Sequence, residues 1–157
     1  MNIEEITEEM VVELITKSRT NSRNRAIMTL DNDTYSGPQT SINIIQEQSY
    51  IQPHCRFSDE KLIHYSGILC SIQFEDDGSV KKSRIINHKS PYLFIPANTY
   101  QTLVALELNS AIWMIVQGPH DPKNYSRFLA NTPSLNDNFE EYFENLKNIA
   151  HRADQKR

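Results

Sequence analysis

Residues 60–87 read EKLIHYSGILCSIQFEDDGSVKKSRIIN, and the alternation of strand-like and turn-like segments in this stretch decides the fold. Three short runs, at 61–65, 69–74 and 81–87, contain the β-branched, aliphatic and aromatic residues that are typical of strands. Asp76, Asp77 and Gly78 separate the last two runs, and glycine there supplies the positive φ angle of a tight turn. The stretch predicts antiparallel strands joined by a hairpin.

The same pattern continues on both sides of this stretch, from about residue 40 to residue 117. Turn-forming residues recur about every ten positions, and the predicted strands between them are 41–45, 50–56, 61–65, 69–74, 81–87, 92–95, 102–106 and 111–117. A further strand is expected to start within 26–30. Short strands in series, without intervening helices, indicate a mainly β protein built as an antiparallel sandwich or barrel of the jelly-roll type.

Both ends of the chain show the period of an amphipathic helix. Apolar residues recur every three to four positions and predict one helix over 3–18 and another over 136–152, the second capped by Ser134 or Asn136. The second helix has an apolar stripe, which we expect to pack on the barrel, with a dimer contact as the alternative: Phe139, Tyr142, Phe143, Leu146 and Ile149. The predicted organisation is an amino-terminal helix (1–20), a barrel (21–125) and a carboxy-terminal helical extension (126–157).

The charge balance of the 157-residue chain limits its partners. Sixteen basic residues against 20 acidic ones give a formal net charge of -4, so no overall field attracts nucleic acid or anionic lipid. Two cysteines do not make a disulfide framework, and the acidic amino terminus differs from a signal peptide. We expect a cytoplasmic protein without nucleic-acid or membrane partners.

Polar residues with a regular spacing stand at the start of this β region. His54, Arg56, Glu60 and Gly67 follow the pattern H-x-R-x-x-x-E-x-x-x-x-x-x-G, and 96–101 reads PANTYQ, ending in Gln101. Residues at i and i+2 of a strand share one face, so His54 and Arg56 are expected to point together into the interior. A hairpin is expected to set Arg56 across from Glu60, and Gln101 joins them from a separate strand.

These two segments resemble the paired motifs of cupins, with arginine and glutamine where histidines are expected. Together with RNR at 23–25, Pro53-His54 and QGPHDP at 117–122, they resemble the WbuC family of cupin-fold metalloproteins over about residues 20–125. The resemblance implies a single cupin-type barrel in a small bacterial protein. It also implies a link to the biosynthesis of surface polysaccharides.

The resemblance further implies a divalent ion held by three imidazoles and a carboxylate. Arg56 has no lone pair to donate, stays protonated, and is expected to pair with Glu60. Gln101 offers only a weak neutral oxygen. We therefore expect no metal or other cofactor, and the alternative is a divalent ion bound by His54, Glu60 and Gln101.

Three functions remain open at this point, and the sequence does not decide whether the protein is an enzyme. The first is binding of a small polar molecule, a sugar or a sugar nucleotide being the candidate, in a degenerate site that holds no metal. The second is a metal-dependent isomerase or dioxygenase. The third is a non-catalytic structural or sensing cupin. A homodimer is expected in each case, because cupins commonly pair through barrel edges.

The residues expected to bind the ligand are polar, and four of them are placed toward the interior: Arg56, Glu60, His64 and Gln101. Arg25 is expected over the barrel mouth as an anion clamp, with a surface role as the alternative. A catalytic version of the first function needs a base and an acid. His54 is the expected base, and Tyr100 the expected acid, with Tyr65 as the alternative acid.

Overall fold

The predicted strands form two antiparallel sheets in the computed structural model, which describes residues 3–121 and 126–156. In chain order the elements are α1 (Glu8–Thr20), β1 (Arg25–Thr29), β2 (Pro38–Ile45), β3 (His54–Arg56), β4 (Glu60–Ser66), β5 (Leu69–Phe74), β6 (Val80–Ile86), β7 (Tyr92–Ile95), β8 (Tyr100–Ala105), β9 (Ser110–Gln117), β10 (Ser126–Phe128) and α2 (Glu140–Gln155). Neither helix is long and apolar enough to cross a bilayer.

Each sheet contains five strands. Sheet A has the order β1-β2-β9-β4-β7, and sheet B has the order β10-β3-β8-β5-β6. The inner faces enclose an apolar core to which both sheets contribute, with Ile45, Leu62 and Ile112 from sheet A and Leu69 and Leu103 from sheet B. The prediction of a mainly β, antiparallel jelly-roll fold is confirmed, although the two sheets do not close into one continuous barrel.

The hairpin predicted at 76–78 joins β5 and β6. Gly78 has a φ angle of 89°, in the left-handed region that glycine adopts without steric cost. The Asp77 carboxylate accepts hydrogen bonds from the backbone N–H and the hydroxyl of Ser79, at 2.9 and 2.6 Å. Asp77 and Gly78 therefore form the turn of the hairpin, as the sequence pattern indicated.

Two strand predictions differ from the structure. The strand expected over 50–56 is confined to His54–Arg56, since Pro53 has no N–H to donate to a neighbouring strand. Strand β10, within the segment expected to be only a helical extension, was not predicted. It pairs with β3 at the edge of sheet B, and its three residues are all exposed, so it lacks the apolar alternation of a strand.

The amino-terminal helix begins at Glu8 instead of residue 3. The Thr7 hydroxyl accepts a hydrogen bond from the Met10 N–H at 3.3 Å and caps the helix there. Before this cap, the N–H of Ile3 donates to the carbonyl of Leu30 at 2.8 Å. Helix α1 covers the outer face of sheet A, where Leu14 belongs to the same buried cluster as Ile42, Ile44 and Ala111.

The carboxy-terminal helix begins at Glu140, and neither expected cap is used. Phe139 occupies the cap position without a side-chain hydrogen bond, whereas Ser134 and Asn136 belong to a preceding turn. The apolar stripe of α2 packs on the outer face of sheet B, and Phe139 stacks on Tyr50 with ring centroids 4.6 Å apart. The structure thus gives the first of the two expected outcomes, in which the stripe is covered by its own chain.

Candidate functional site

A cavity of about 560 Å³ lies between the two sheets. Apolar side chains such as Ile45, Ile51, Leu103 and Met114 form part of its lining. Its polar lining comes from both sheets and from the turns that flank them: Arg23, Arg25, Asn43, Gln52, His54, Arg56, Gln101, Ser126, Ser134 and Asn136. A mostly apolar cavity with convergent polar groups is the usual form of a small-molecule site.

The strand register brings the predicted residues together. His54 and Arg56 are two residues apart on β3 and therefore share one face of the strand. His54 is the Cα partner of Gln101 on β8. Glu60 is the first residue of β4 and belongs to the opposite sheet. The hairpin expected between β3 and β4 is therefore wrong, because the chain crosses between the sheets at 57–59. The contact of Arg56 with Glu60 joins the two sheets.

Behind the cavity, an ion pair and two hydrogen bonds engage the Glu60 carboxylate and the Gln101 amide. The Arg56 Nε donates to Glu60 Oε1, and the Glu60 carboxylate is only 2% exposed. Gln101 Nε2 donates to Glu60 Oε2 at 3.4 Å and its Oε1 accepts from the Ser71 hydroxyl at 3.1 Å. Burial raises the pKa of Glu60, and the positive charge of Arg56 opposes that rise. The carboxylate is therefore engaged by its neighbours.

His54 is neutral and has a defined tautomer. Its Nδ1 lies 2.9 Å from the carbonyl oxygen of Gln52, which can only accept, so Nδ1 carries the proton and Nε2 keeps its lone pair. Burial, together with the charges of Arg56 and Arg25, lowers the pKa of His54 to about 4 against the opposing effect of the hydrogen bond to Gln52. At neutral pH the site therefore contains an uncharged imidazole with a basic nitrogen.

Arg25, from β1, is held by neutral oxygen atoms. Its Nη1 donates to the Tyr50 carbonyl at 3.0 Å, to the Ser49 hydroxyl at 3.3 Å and to the Arg23 carbonyl at 3.4 Å. Burial, together with the charge of Arg23, lowers the pKa of Arg25 to about 10, so the guanidinium stays protonated. Over residues 3–121 and 126–156, no carboxylate forms an ion pair with it.

Three predicted residues lie elsewhere. Tyr100 precedes Gln101 on β8 and faces the opposite side of sheet B, where its hydroxyl accepts from Arg127 Nε at 2.9 Å. His64 bonds through Nε2 to the Gly67 carbonyl oxygen at 2.8 Å and does not line the cavity. Tyr65 is exposed and contacts Trp113. The structure therefore does not bring His54 together with an acid from Tyr100 or Tyr65.

Several cavity residues were missed by the sequence reasoning. Asn43 alternates with the apolar residues of β2, so its period-two position was a usable signal. Phe128, Ser134 and Asn136 gave no such signal, because they reach the cavity only through the pairing of β10 and the docking of α2. The segment 117–122 extends to Pro122, which is outside the described residues.

The donors present do not fit a divalent metal ion. Within the described part of the chain, no group of three or more His, Cys, Asp and Glu side chains is placed to hold one. His54 Nε2 is the one good donor at the cupin-like positions, since Glu60 is paired with Arg56 and Gln101 is bonded on both sides. The guanidinium also repels an incoming cation.

Comparison with protein families identifies the chain. A family model described as a domain of unknown function, DUF6016, matches residues 6–86, which is slightly more than half of the chain. The chain belongs to the DUF6016 family. The matched region of this DUF6016 chain runs from α1 to the end of β6 and includes Arg25, His54, Arg56 and Glu60. The finer resemblance to WbuC proteins stays a prediction, and no curated protein matches the sequence.

Solved structures show the fold of the DUF6016 chain. Protein SO0799 from Shewanella oneidensis is similar with a TM-score of 0.56 and 9% identity, over 74% of this chain and 82% of that one. The capsular polysaccharide assembling protein CapF from Staphylococcus aureus has a TM-score of 0.59 and 17% identity over 70% of this chain. Oxalate decarboxylase from Lactobacillus farciminis has a TM-score of 0.54 and 13% identity over 67% of this chain. This chain spans about a third of the last two proteins, 30% and 31%. The neighbours confirm the expected cupin fold.

The low pKa of His54 predicts a pH dependence of stability. The folded protein holds this pKa at about 4 against 6.5 for a free side chain, so the unfolded chain binds more protons between those values. The free energy of unfolding should therefore fall as the pH drops from about 6.5 to about 4, with a contribution of up to about 3 kcal/mol from this residue.

Urea denaturation at pH 7 and pH 4.5 measures this contribution. The loss of stability should be smaller in His54→Gln than in the wild type, because glutamine does not titrate. His88→Gln, at an exposed histidine, is the matched control and should behave as the wild type does. Equal losses in the wild type and His54→Gln would contradict the assignment of a neutral His54.

A double substitution should create the missing metal site. Arg56→His with Gln101→His removes the cation, releases Glu60 and adds two imidazoles next to His54. Titration calorimetry with Ni²⁺ or Zn²⁺ should then detect one tight site that the wild type lacks. Gln101→His alone is the control, since it keeps Arg56. Near-stoichiometric tight binding by the wild type through His54 and Glu60 would overturn this account of the site.

Proposed function

We propose that this protein is a cytoplasmic cupin that binds a small polar molecule, a sugar or a sugar nucleotide, in the cavity between its sheets. The observation that carries the proposal is the joint placement of Arg25, His54 and Arg56 on the wall of a cavity of about 560 Å³. Arg25 has no carboxylate partner among the described residues, and His54 Nε2 has an unshared lone pair. These groups are suited to orient a polar ligand.

The proposed context is the biosynthesis of bacterial surface polysaccharides. Two observations support it, namely the resemblance of the motifs around His54 and Gln101 to the WbuC family and the similarity in fold to the capsular polysaccharide assembling protein CapF. In this context the ligand would be a building block of the polysaccharide or its activated nucleotide form. Structural likeness at 17% identity supports the fold, so the ligand rests on the chemistry of the cavity.

The state of His54 favours a second candidate, an isomerase that uses acid–base catalysis without metal. A neutral imidazole with a free Nε2 can accept a proton from a carbon or hydroxyl of a bound sugar. Arg25 and Arg56 would then stabilise the negative charge that develops. Tyr100 and Tyr65 lie outside the cavity, so the acid in this reaction would be the protonated His54 itself or water.

Ligand binding is tested by thermal denaturation in the presence of sugars and sugar nucleotides. A ligand at 100 times its Kd stabilises the folded protein by about 2.7 kcal/mol, which gives a measurable rise in Tm. Asn43→Leu removes a polar group of the cavity wall and should reduce the rise. Thr29→Leu makes a similar change at an exposed site of β1 outside the cavity and should not. The absence of a shift with every sugar and sugar nucleotide at millimolar concentration would contradict the proposed function.

We also propose that the protein is a homodimer. The aromatic stripe of α2 is covered within the chain, so the contact must use another surface. Tyr92 and Phe94 are 53% and 43% exposed on β7, which is an edge strand of sheet A. An edge strand presents unpaired backbone groups, and a second copy related by a two-fold axis can pair with it in antiparallel register.

Light scattering in the micromolar range should give twice the 18.2 kDa of one chain. Phe94→Lys places a charge on the proposed contact and should shift the protein to the monomer. Val80→Lys is the matched control, because Val80 is 44% exposed on the edge strand of sheet B. A monomeric wild type, or equal effects of the two substitutions, would count against this interface.

A further inference from the structure

The cavity carries a positive charge that the rest of the chain does not share. Three arginines line it, Arg23, Arg25 and Arg56, and among the described ion pairs the carboxylate that joins one of them is Glu60. With neutral His54, three positive charges minus one negative charge leave a local charge of +2, whereas the whole chain has a formal charge of -4. These four side chains therefore give the cavity wall a net positive charge within an acidic chain.

The contacts of Arg25 fix its position without neutralising it. Its three hydrogen bonds all leave from Nη1 and end on the oxygen atoms of Tyr50, Ser49 and Arg23. Among the described residues, Nε and Nη2 have no hydrogen-bond partner. Arg25 is half-buried, so its charge loses part of its hydration, and a guanidinium with free donors is suited to bind the two oxygens of a carboxylate or phosphate.

His54 adds a second requirement. Its Nδ1 donates to the Gln52 carbonyl, so its Nε2 can only accept a hydrogen bond while the ring is neutral. A fully ionised carboxylate or phosphate offers no donor to this nitrogen, whereas a hydroxyl beside the anionic group does. The same cavity thus provides donors for negatively charged oxygens and an acceptor for a hydroxyl.

We propose that the ligand of this cavity is an anion that also carries hydroxyl groups, a sugar phosphate or a sugar acid, with its anionic group bound by Arg25 and Arg56 and a hydroxyl bound by His54. The inference rests on the proposed function, because it concerns the same cavity. It goes further by excluding neutral sugars as the preferred ligand. Phosphate and carboxylate share the relevant chemistry, and the experiment distinguishes them.

The test compares three sugars that differ only in the group at C6: glucose, glucose 6-phosphate and glucuronate. Titration calorimetry on the full chain should show that at least one charged hexose binds 10-fold or more tightly than glucose, about the factor expected for one charge-assisted contact. The charged ligand that binds more tightly identifies the anionic group. Raising the salt concentration should weaken its binding and leave that of glucose unchanged.

Arg25→Met should weaken the binding of the charged hexose by about 10-fold to 100-fold and have little effect on the binding of glucose. Arg84→Met is the matched control, since Arg84 is exposed on β6 and its Nη1 donates to the adjacent Ser83 carbonyl. If Arg25→Met does not fold, the wild type still gives the answer. Inorganic phosphate should then raise its Tm and compete with the charged hexose, whereas chloride at equal ionic strength should not.

Two results would overturn the inference, and they differ in what they leave standing. Equal affinity for glucose and for both charged hexoses, with no effect of phosphate, would refute the anion site but leave the proposed binding of a polar ligand intact. Equal weakening by Arg25→Met and Arg84→Met would refute the role of Arg25. The absence of binding by all three hexoses and by sugar nucleotides would refute the proposed function and this inference together.

Discussion

The ion pair between Arg56 and Glu60 is the interaction on which the rest of the site depends. It joins the last residue of β3 in sheet B to the first residue of β4 in sheet A, at a point where the Glu60 carboxylate is almost completely buried. Loss of one partner of such a pair costs about 3 to 5 kcal/mol, because the other charge is left without compensation. The charge of Arg56 also lowers the pKa of His54, and the Glu60 carboxylate accepts a hydrogen bond from the amide of Gln101. One contact thus joins the sheets and adds to the effect of burial in keeping His54 neutral.

The pair also shows that the fold of this protein and the chemistry of its cavity must be considered separately. The chain shares its fold with proteins as different as an oxalate decarboxylase and a capsular polysaccharide assembling protein. A common fold does not determine a common reaction, so the function depends on the residues in the cavity. Here the cupin-like positions hold a cation, a paired carboxylate, an amide and one neutral imidazole. That set favours hydrogen bonding to oxygen-rich ligands over coordination of a metal ion.

The two helices contribute to the site without supplying a catalytic group. Helix α1 covers the outer face of sheet A, and α2 covers the outer face of sheet B through Phe143, Leu146 and Ala150. Because α2 docks on sheet B, the turn before it is held against the cavity, where Ser134 and Asn136 become part of the wall. The exposed aromatic side chains that remain lie mainly on strands, Tyr92 and Phe94 among them. Packing on the outside of the sandwich therefore shapes the cavity inside it.

Local patterns in the sequence were enough to determine the strand-rich region, the hairpin at Gly78, the shared face of His54 and Arg56, and the pairing of Arg56 with Glu60. These features depend on the two-residue period of a strand, on turn geometry and on opposite charge, all of which act over a few residues. The tertiary structure alone decided that β3 and β4 lie in different sheets, that β10 exists, and that no described carboxylate pairs with Arg25. It also placed Tyr100 and His64 away from the cavity, although the strand that contains His64 was predicted. These outcomes depend on long-range strand pairing and on the docking of α2, which bring together residues far apart in the chain, such as Tyr50 and Pro133, 83 positions apart. No local pattern records which distant partner a strand or a turn will meet.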